Sequence, residues 1–79
     1  MKIELNLFAS LRRYHPETGS PIGKFIEVSS GTTILGLLKR LEVPMDKVKL
    51  IFLNGNHAGG EEVLSEGDRV GVFPPVAGG

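Results

Sequence analysis

Only one stretch of this chain carries a helical period. Ile34, Leu37, Leu38 and Leu41 fall at i, i+3, i+4 and i+7, one apolar stripe along a short helix. The other apolar stretches are short, and they alternate or run between turn residues. A single helix cannot bury its own stripe, so it must cover one face of a sheet built from the rest. Gly31 makes the turn before it, and Thr32 or Thr33 supplies an N-cap. Lys39 and Arg40 occupy the last turn, where cations suit the helix dipole. Pro44 then forbids much extension.

The strands follow from alternation. Lys2 to Phe8 places Ile3, Leu5 and Leu7 on one face and Lys2, Glu4, Asn6 and Phe8 on the other. Residues 9–24 form a long excursion punctuated by Pro16, Gly19, Pro21 and Gly23, with a helical turn over Ala9 to Tyr14. Lys24 to Ser29 is a second strand, with Ile26 and Val28 inward. Lys49 to Leu53 is a third, read with Leu50 and Phe52 inward and Ile51 and Leu53 outward. Asn54-Gly55 signals a hairpin turn, and Asn56 to Ala58 a brief returning strand. Gly59-Gly60 reads as a turn, and Gly67 as the positive-φ residue of another. Arg69 to Phe73 closes the sheet, with Val70 and Val72 inward and Arg69, Gly71 and Phe73 outward.

The order is therefore strand, strand, helix, strand, short strand, strand. That is an α+β arrangement: a mixed four- to five-stranded sheet covered on one face by a single main helix. With the first and last strands central and parallel, it is a ubiquitin-like β-grasp. The expected core is Ile3, Leu5, Leu7, Ile26, Val28, Ile34, Leu37, Leu38, Leu41, Leu50, Phe52, Val70 and Val72.

Composition narrows the chemistry. At 79 residues the chain is one domain, at the size where a single core is only marginally sufficient. Nine basic and nine acidic side chains cancel, so no global field argues for nucleic acid or an anionic membrane. No apolar run matches a membrane span and no signal-peptide pattern opens the chain, so a cytoplasmic location is expected. The absence of cysteine removes disulfides, thiolate metal sites and thiol nucleophiles together. His15 and His57 lie far apart in expected loops and make a poor metal pair. No cofactor, metal site or catalytic triad is expected, and the chain is not read as an enzyme.

The chemistry sits in the last eight residues, Val72-Phe73-Pro74-Pro75-Val76-Ala77-Gly78-Gly79. Two prolines have no N–H to donate, so the strand cannot continue through them and an extended exit follows. Residues 1–73 are thus expected to form the domain and 74–79 an extended tail. Gly78 and Gly79 lack Cβ atoms and can enter a slot too narrow for any side chain. Six residues reach roughly 20 Å when extended, enough to place a terminal carboxylate inside another protein. A frayed terminus would read as polar and rich in Ser, Lys and Glu instead.

Phe8-Ala9-Ser10-Leu11-Arg12, Gly31-Thr32-Thr33 and Glu66-Gly67-Asp68-Arg69-Val70, leading into the Phe73-Pro74-Pro75-Val76-Ala77-Gly78-Gly79 ending, resemble the MoaD/ThiS ubiquitin-like sulfur carriers. The similarity spans essentially the whole chain. Its ending is most similar to the small subunit of molybdopterin synthase. The resemblance implies that an ATP-dependent, ubiquitin-activating-like enzyme adenylates the Gly79 carboxylate. A sulfur donor then converts it to a thiocarboxylate. A molybdopterin synthase large subunit or a thiazole synthase would accept that sulfur. ATP is used by the activating enzyme, and the carrier itself binds no cofactor. Thiamin thiazole synthesis, tRNA thiolation, protein modification through an isopeptide bond at Gly79, and a non-catalytic interaction module remain the alternatives.

A docking surface follows from the alternation. Phe8, Ile51, Leu53 and Phe73 are expected on the face opposite the helix, with Pro74, Pro75 and Val76 continuing the partner contact. Phe8 and Phe73 should meet where the tail departs, with Gly71 leaving the face low between them. On this reading Ile51→Asp and Phe73→Ala weaken partner binding without unfolding the domain.

Overall fold

The computed structural model describes residues 1–16 and 25–75. Its strands are β1 (Lys2–Leu7), β2 (Phe25–Glu27), β3 (Leu50–Leu53), β4 (Asn56–Ala58) and β5 (Arg69–Phe73), with one α-helix, α1 (Ile34–Arg40). They form one mixed five-stranded sheet in the order β2-β1-β5-β3-β4. β1 and β5 are parallel, and the remaining pairings are antiparallel. β5 therefore occupies the middle of the sheet, with a partner on each side. The excursion after β1 begins as a 3₁₀ helix over Ala9–Tyr14, which drops Leu11 into the core.

Both ends of α1 are closed by local chemistry. Thr33 is the N-cap, and its hydroxyl accepts the Gly36 N–H at 3.0 Å. Three further N–H groups of the first turn find carbonyls: Ile34 donates to Glu62, Leu35 to Gly60 and Leu37 to Thr33. The Leu37 bond opens the regular i→i−4 ladder, and the N–H groups of Ile34, Leu35 and Gly36, which a helix start normally leaves unpaired, are all satisfied. At the other end Glu42 adopts φ 62°, and the Val43 N–H reaches back to the Leu38 carbonyl while Glu42 N–H donates to Lys39. This is a Schellman closure, with the apolar residue after the turn packed on the last helical turn. Val43 is buried as a result, while Leu41, expected in the core, is only half-buried at the C-cap.

The segment sealing the helix start is itself braced. The Glu62 carboxylate accepts N–H groups from Gly59 at 3.1 Å and Gly60 at 2.8 Å. Its own backbone N–H, then those two, hold the Glu62 carboxyl below the ordinary glutamate range. Gly60 has φ 107°, and a Cβ there would lie 2.5 Å from Leu35 Cγ, so only glycine fits the position.

The core lies between α1 and one sheet face. Ile3, Leu5, Ile34, Leu37, Leu38, Val70 and Val72 have no accessible surface, and among the described residues no polar side chain is buried with them. The phase of β3 differs from the sequence reading. Ile51 is 6% exposed whereas Leu50 is 39% exposed. Ile51 lies opposite Val72 and Leu53 opposite Val70, while Leu50 lies opposite Phe73 and Phe52 opposite Gly71. Residues directly opposed across an antiparallel pair project from the same face. Ile51 and Leu53 therefore share the inner face with the two valines, and Leu50 and Phe52 leave the core list. Leu11, Val43, Ile51, Ala58 and Leu64 join it.

Candidate functional site

The outer face of the sheet carries the phenylalanine rings. Phe8 continues the extended path of β1 at φ −99°, ψ 154°, and its N–H donates to the Val72 carbonyl at 3.1 Å. Ala9 then turns the chain away at φ 52°. This places the Phe8 ring against that of Phe73, stacked at 4.3 Å with 6° between planes. Phe52 meets Phe73 edge-on at 5.6 Å, and His57 meets Phe52 edge-on at 5.9 Å. Gly71 lies between these rings and has no side chain. The result is an open dish of about 290 Å³ bounded by Phe8, Phe52, Gly55, Arg69, Gly71 and Phe73.

The sequence reading placed Phe8 and Phe73 here, and the structure brings the two together. It does not bring Ile51 and Leu53, which face the core on the other side of β3. Their places are taken by Phe52 and Leu50. Arg69 and His57 were also missed as neighbours of the rings. The signal for the dish was Gly71, an interior strand glycine of the kind that marks a close approach of another group.

The tail leaves from this site. β5 is paired with β1 as far as Val72 and with β3 as far as Phe73, whose carbonyl accepts the Lys49 N–H at 2.8 Å. Pro74, half-buried, has no N–H with which to extend the ladder, and Pro75 is exposed. Val76, Ala77, Gly78 and Gly79 lie outside the described residues. The launch point is thus fixed by two neighbouring strands and two ring contacts. A carboxylate carried on the tail starts at the edge of the aromatic dish. Among the described residues no group of three or more His, Cys, Asp or Glu side chains could hold a metal ion. No described helix is long and apolar enough to cross a membrane.

A mixed sheet with a parallel β1–β5 pair, one covering helix and a short β4 defines the ubiquitin-like β-grasp class. The ThiS family model matches residues 5–79, and the chain belongs to the ThiS family. Solved structures share this fold. The putative molybdopterin converting factor subunit 1 from Pyrococcus furiosus is 26% identical, with a TM-score of 0.68 over 96% of this chain and 99% of that one. SAMP1 from Haloferax volcanii has a TM-score of 0.69 at 22% identity, covering 100% of both chains. The complex of subunits 1 and 2 of molybdopterin-converting factor from Helicobacter pylori contains a chain with a TM-score of 0.61 at 22% identity, again over 100% of both. A search of the curated proteins returned no match. The chain is a MoaD/ThiS-like member of the ubiquitin-like sulfur carriers.

Proposed function

We propose that the chain is a co-substrate whose Gly79 carboxylate carries sulfur, in the assembly of a molybdopterin-type cofactor. The observation that carries this reading is the junction at Phe73. There the most anchored strand of the sheet ends in an aromatic dish and hands over to Pro74, Pro75 and a tail finishing in Gly78-Gly79. A rigid docking face and a thin, reactive extension are the two parts a carried acyl group requires.

The chemistry is activation followed by exchange. A carboxylate is unreactive at neutral pH, so a partner enzyme joins one of its oxygens to the α-phosphorus of ATP and releases pyrophosphate. The acyl-adenylate then has a good leaving group, and a sulfur nucleophile displaces AMP to leave the thiocarboxylate. Glycine leaves the carbonyl open to attack and has no stereocentre to epimerise. With no cysteine, the chain offers no thiol of its own to intercept the acyl group. The carrier supplies the handle and its partners supply the catalysis: an adenylating enzyme first, then a sulfur acceptor resembling a large subunit. Support for that acceptor comes from the subunit 1–subunit 2 complex of the Helicobacter pylori protein. The dish and Pro74-Pro75 form the docking surface for both.

Intact-mass spectrometry of the protein from its own cell tests this. A C-terminal Gly79 with one oxygen replaced by sulfur is expected. Branched conjugates to lysines would instead support a modifier role like that named in SAMP1-type proteins, and neither species would leave a plain interaction module. Deleting Gly78 and Gly79 should abolish adenylation by the cognate activating enzyme while the far-ultraviolet spectrum stays unchanged. Adenylation of the truncated chain at the normal rate overturns the carrier reading.

A further inference from the structure

The dish has one charged wall. Of its six bounding residues, five are aromatic rings or glycines and the sixth is Arg69. The Arg69 backbone is held firmly: its N–H donates to Asn54 Oδ1 at 2.9 Å, and its carbonyl accepts the Asn54 N–H at 2.8 Å. Asn54 is fixed in turn by donating to Asp68 Oδ1 at 3.0 Å. Among the described residues the guanidinium has no such partner. Glu4, its register neighbour on β1, accepts from the Asn6 side chain at 2.8 Å. The Asp68 carboxylate accepts from Asn54 and from the Ser65 N–H. The ion pair among the described residues is a distant one, between the N-terminal ammonium and Glu27 at 3.8 Å.

We propose that Arg69 selects the docking partner, and that the activating enzyme presents to this dish an apolar side chain flanked by an Asp or Glu carboxylate. The inference rests on the carrier reading above and adds the chemistry of the docked surface. Filling the dish covers the rings and also strips water from the arginine beside them. An unpaired charge at that position is costly, so whatever seats there must bring an opposite charge. The planar guanidinium fork matches a carboxylate with two parallel hydrogen bonds, which fixes orientation as well as sign. Because the whole chain is formally neutral, selection of this kind is local and not a product of long-range steering. A partner offering a basic or neutral residue is rejected by the same desolvation.

The test is calorimetric titration of the cognate activating enzyme with the full-length chain and with Arg69→Lys, Arg69→Ala and Arg69→Glu. Arg69 is exposed and its backbone bonds survive all three changes, so each variant should melt with the wild type. Arg69→Ala is expected to weaken binding roughly tenfold and Arg69→Glu roughly a hundredfold, with Arg69→Lys between wild type and Arg69→Ala. The salt dependence of wild-type affinity should fall in Arg69→Ala. Carbodiimide treatment of the Arg69→Lys complex should then form an amide between position 69 and an enzyme Asp or Glu, located by peptide mass spectrometry. Wild-type affinity in Arg69→Glu, or amides only at other lysines, overturns the assignment and leaves the carrier role intact. An enzyme that does not bind the wild-type chain at all overturns the carrier reading itself.

Discussion

Along β5 the inward residues are Val70 and Val72, and the outward ones are Arg69, Gly71 and Phe73. One strand thus carries two chemistries, and the same division runs across the sheet. The inner face is aliphatic and closed by α1, with no polar side chain buried among the described residues. There each side chain contributes by the volume it fills, about 1.5–3 kcal/mol for a large aliphatic group. On the outer face the rings of Phe8, Phe52 and Phe73 pack on one another and stay partly open to solvent. Such ring pairs add about 0.5–1.5 kcal/mol each, far less than the core supplies. What distinguishes the outer face is a missing volume, at Gly71. Stability is therefore concentrated on one side of the sheet, and the proposed recognition surface lies on the other, with β5 contributing to both.

The largest test of that division uses two neighbouring residues. Ile51→Asp puts a carboxylate into the aliphatic core and removes a side chain packed opposite Val72. A loss above about 4 kcal/mol is expected, comparable with the whole stability of a domain this small. Leu50→Asp, one residue earlier, faces outward and should cost about 1 kcal/mol or less. Urea unfolding followed by circular dichroism separates the two. Similar costs at both positions would break the two-faced description of β3.

That pair also marks where the sequence stopped being legible. The strand order, the single main helix and the β1 and β5 faces follow from the sequence and are present, and of the two threonines offered as the helix cap the structure uses Thr33. β3 failed because Leu50-Ile51-Phe52-Leu53 is apolar at every position, so alternation has no phase to read. Its register is set by pairing with β5, a tertiary fact, and a slip of one residue exchanges the faces completely. The same reasoning covers Val43 and Leu64, which enter the core through the turn closing α1 and the segment sealing its start. Neither location has a periodic signature. For the site, Phe8 and Phe73 were legible because each follows an unambiguous strand phase. Arg69 shares the outward phase of Phe73 on β5, whereas Phe52 became a member of the dish only once β3 was placed against β5.

A smaller effect is expected at the two glycines that read alike in sequence. Gly59 has open space where a Cβ would sit, whereas at Gly60 that atom would meet Leu35 Cγ at 2.5 Å with φ at 107°. Gly60→Ala should cost about 1–3 kcal/mol through strain and displacement of the helix start, and Gly59→Ala close to nothing. Thermal melts of the two variants sharpen the comparison, because Gly60 braces the inner side of the molecule through Leu35. Equal melting temperatures would show that the Gly60 turn relaxes freely.

The smallest effect on stability should accompany a large effect on binding. At Gly71 a Cβ would lie 3.5 Å from Phe8 Cε2 and 3.7 Å from Phe73 Cε2, ordinary contact distances, and φ is not positive there. Valine suits a strand, so Gly71→Val should change the unfolding free energy by no more than about 1 kcal/mol. Its methyl groups would nonetheless occupy the floor of the dish between Phe8, Phe52 and Phe73. A partner side chain that seats there loses its place, and affinity for the activating enzyme should drop by roughly tenfold or more. Because adenylation depends on docking, the loss should appear as a raised KM for the carrier, with kcat retained at saturation. Full affinity in a stable Gly71→Val protein would mean the dish is not the contact surface. Full affinity lost together with stability would mean that β5 cannot separate its two faces.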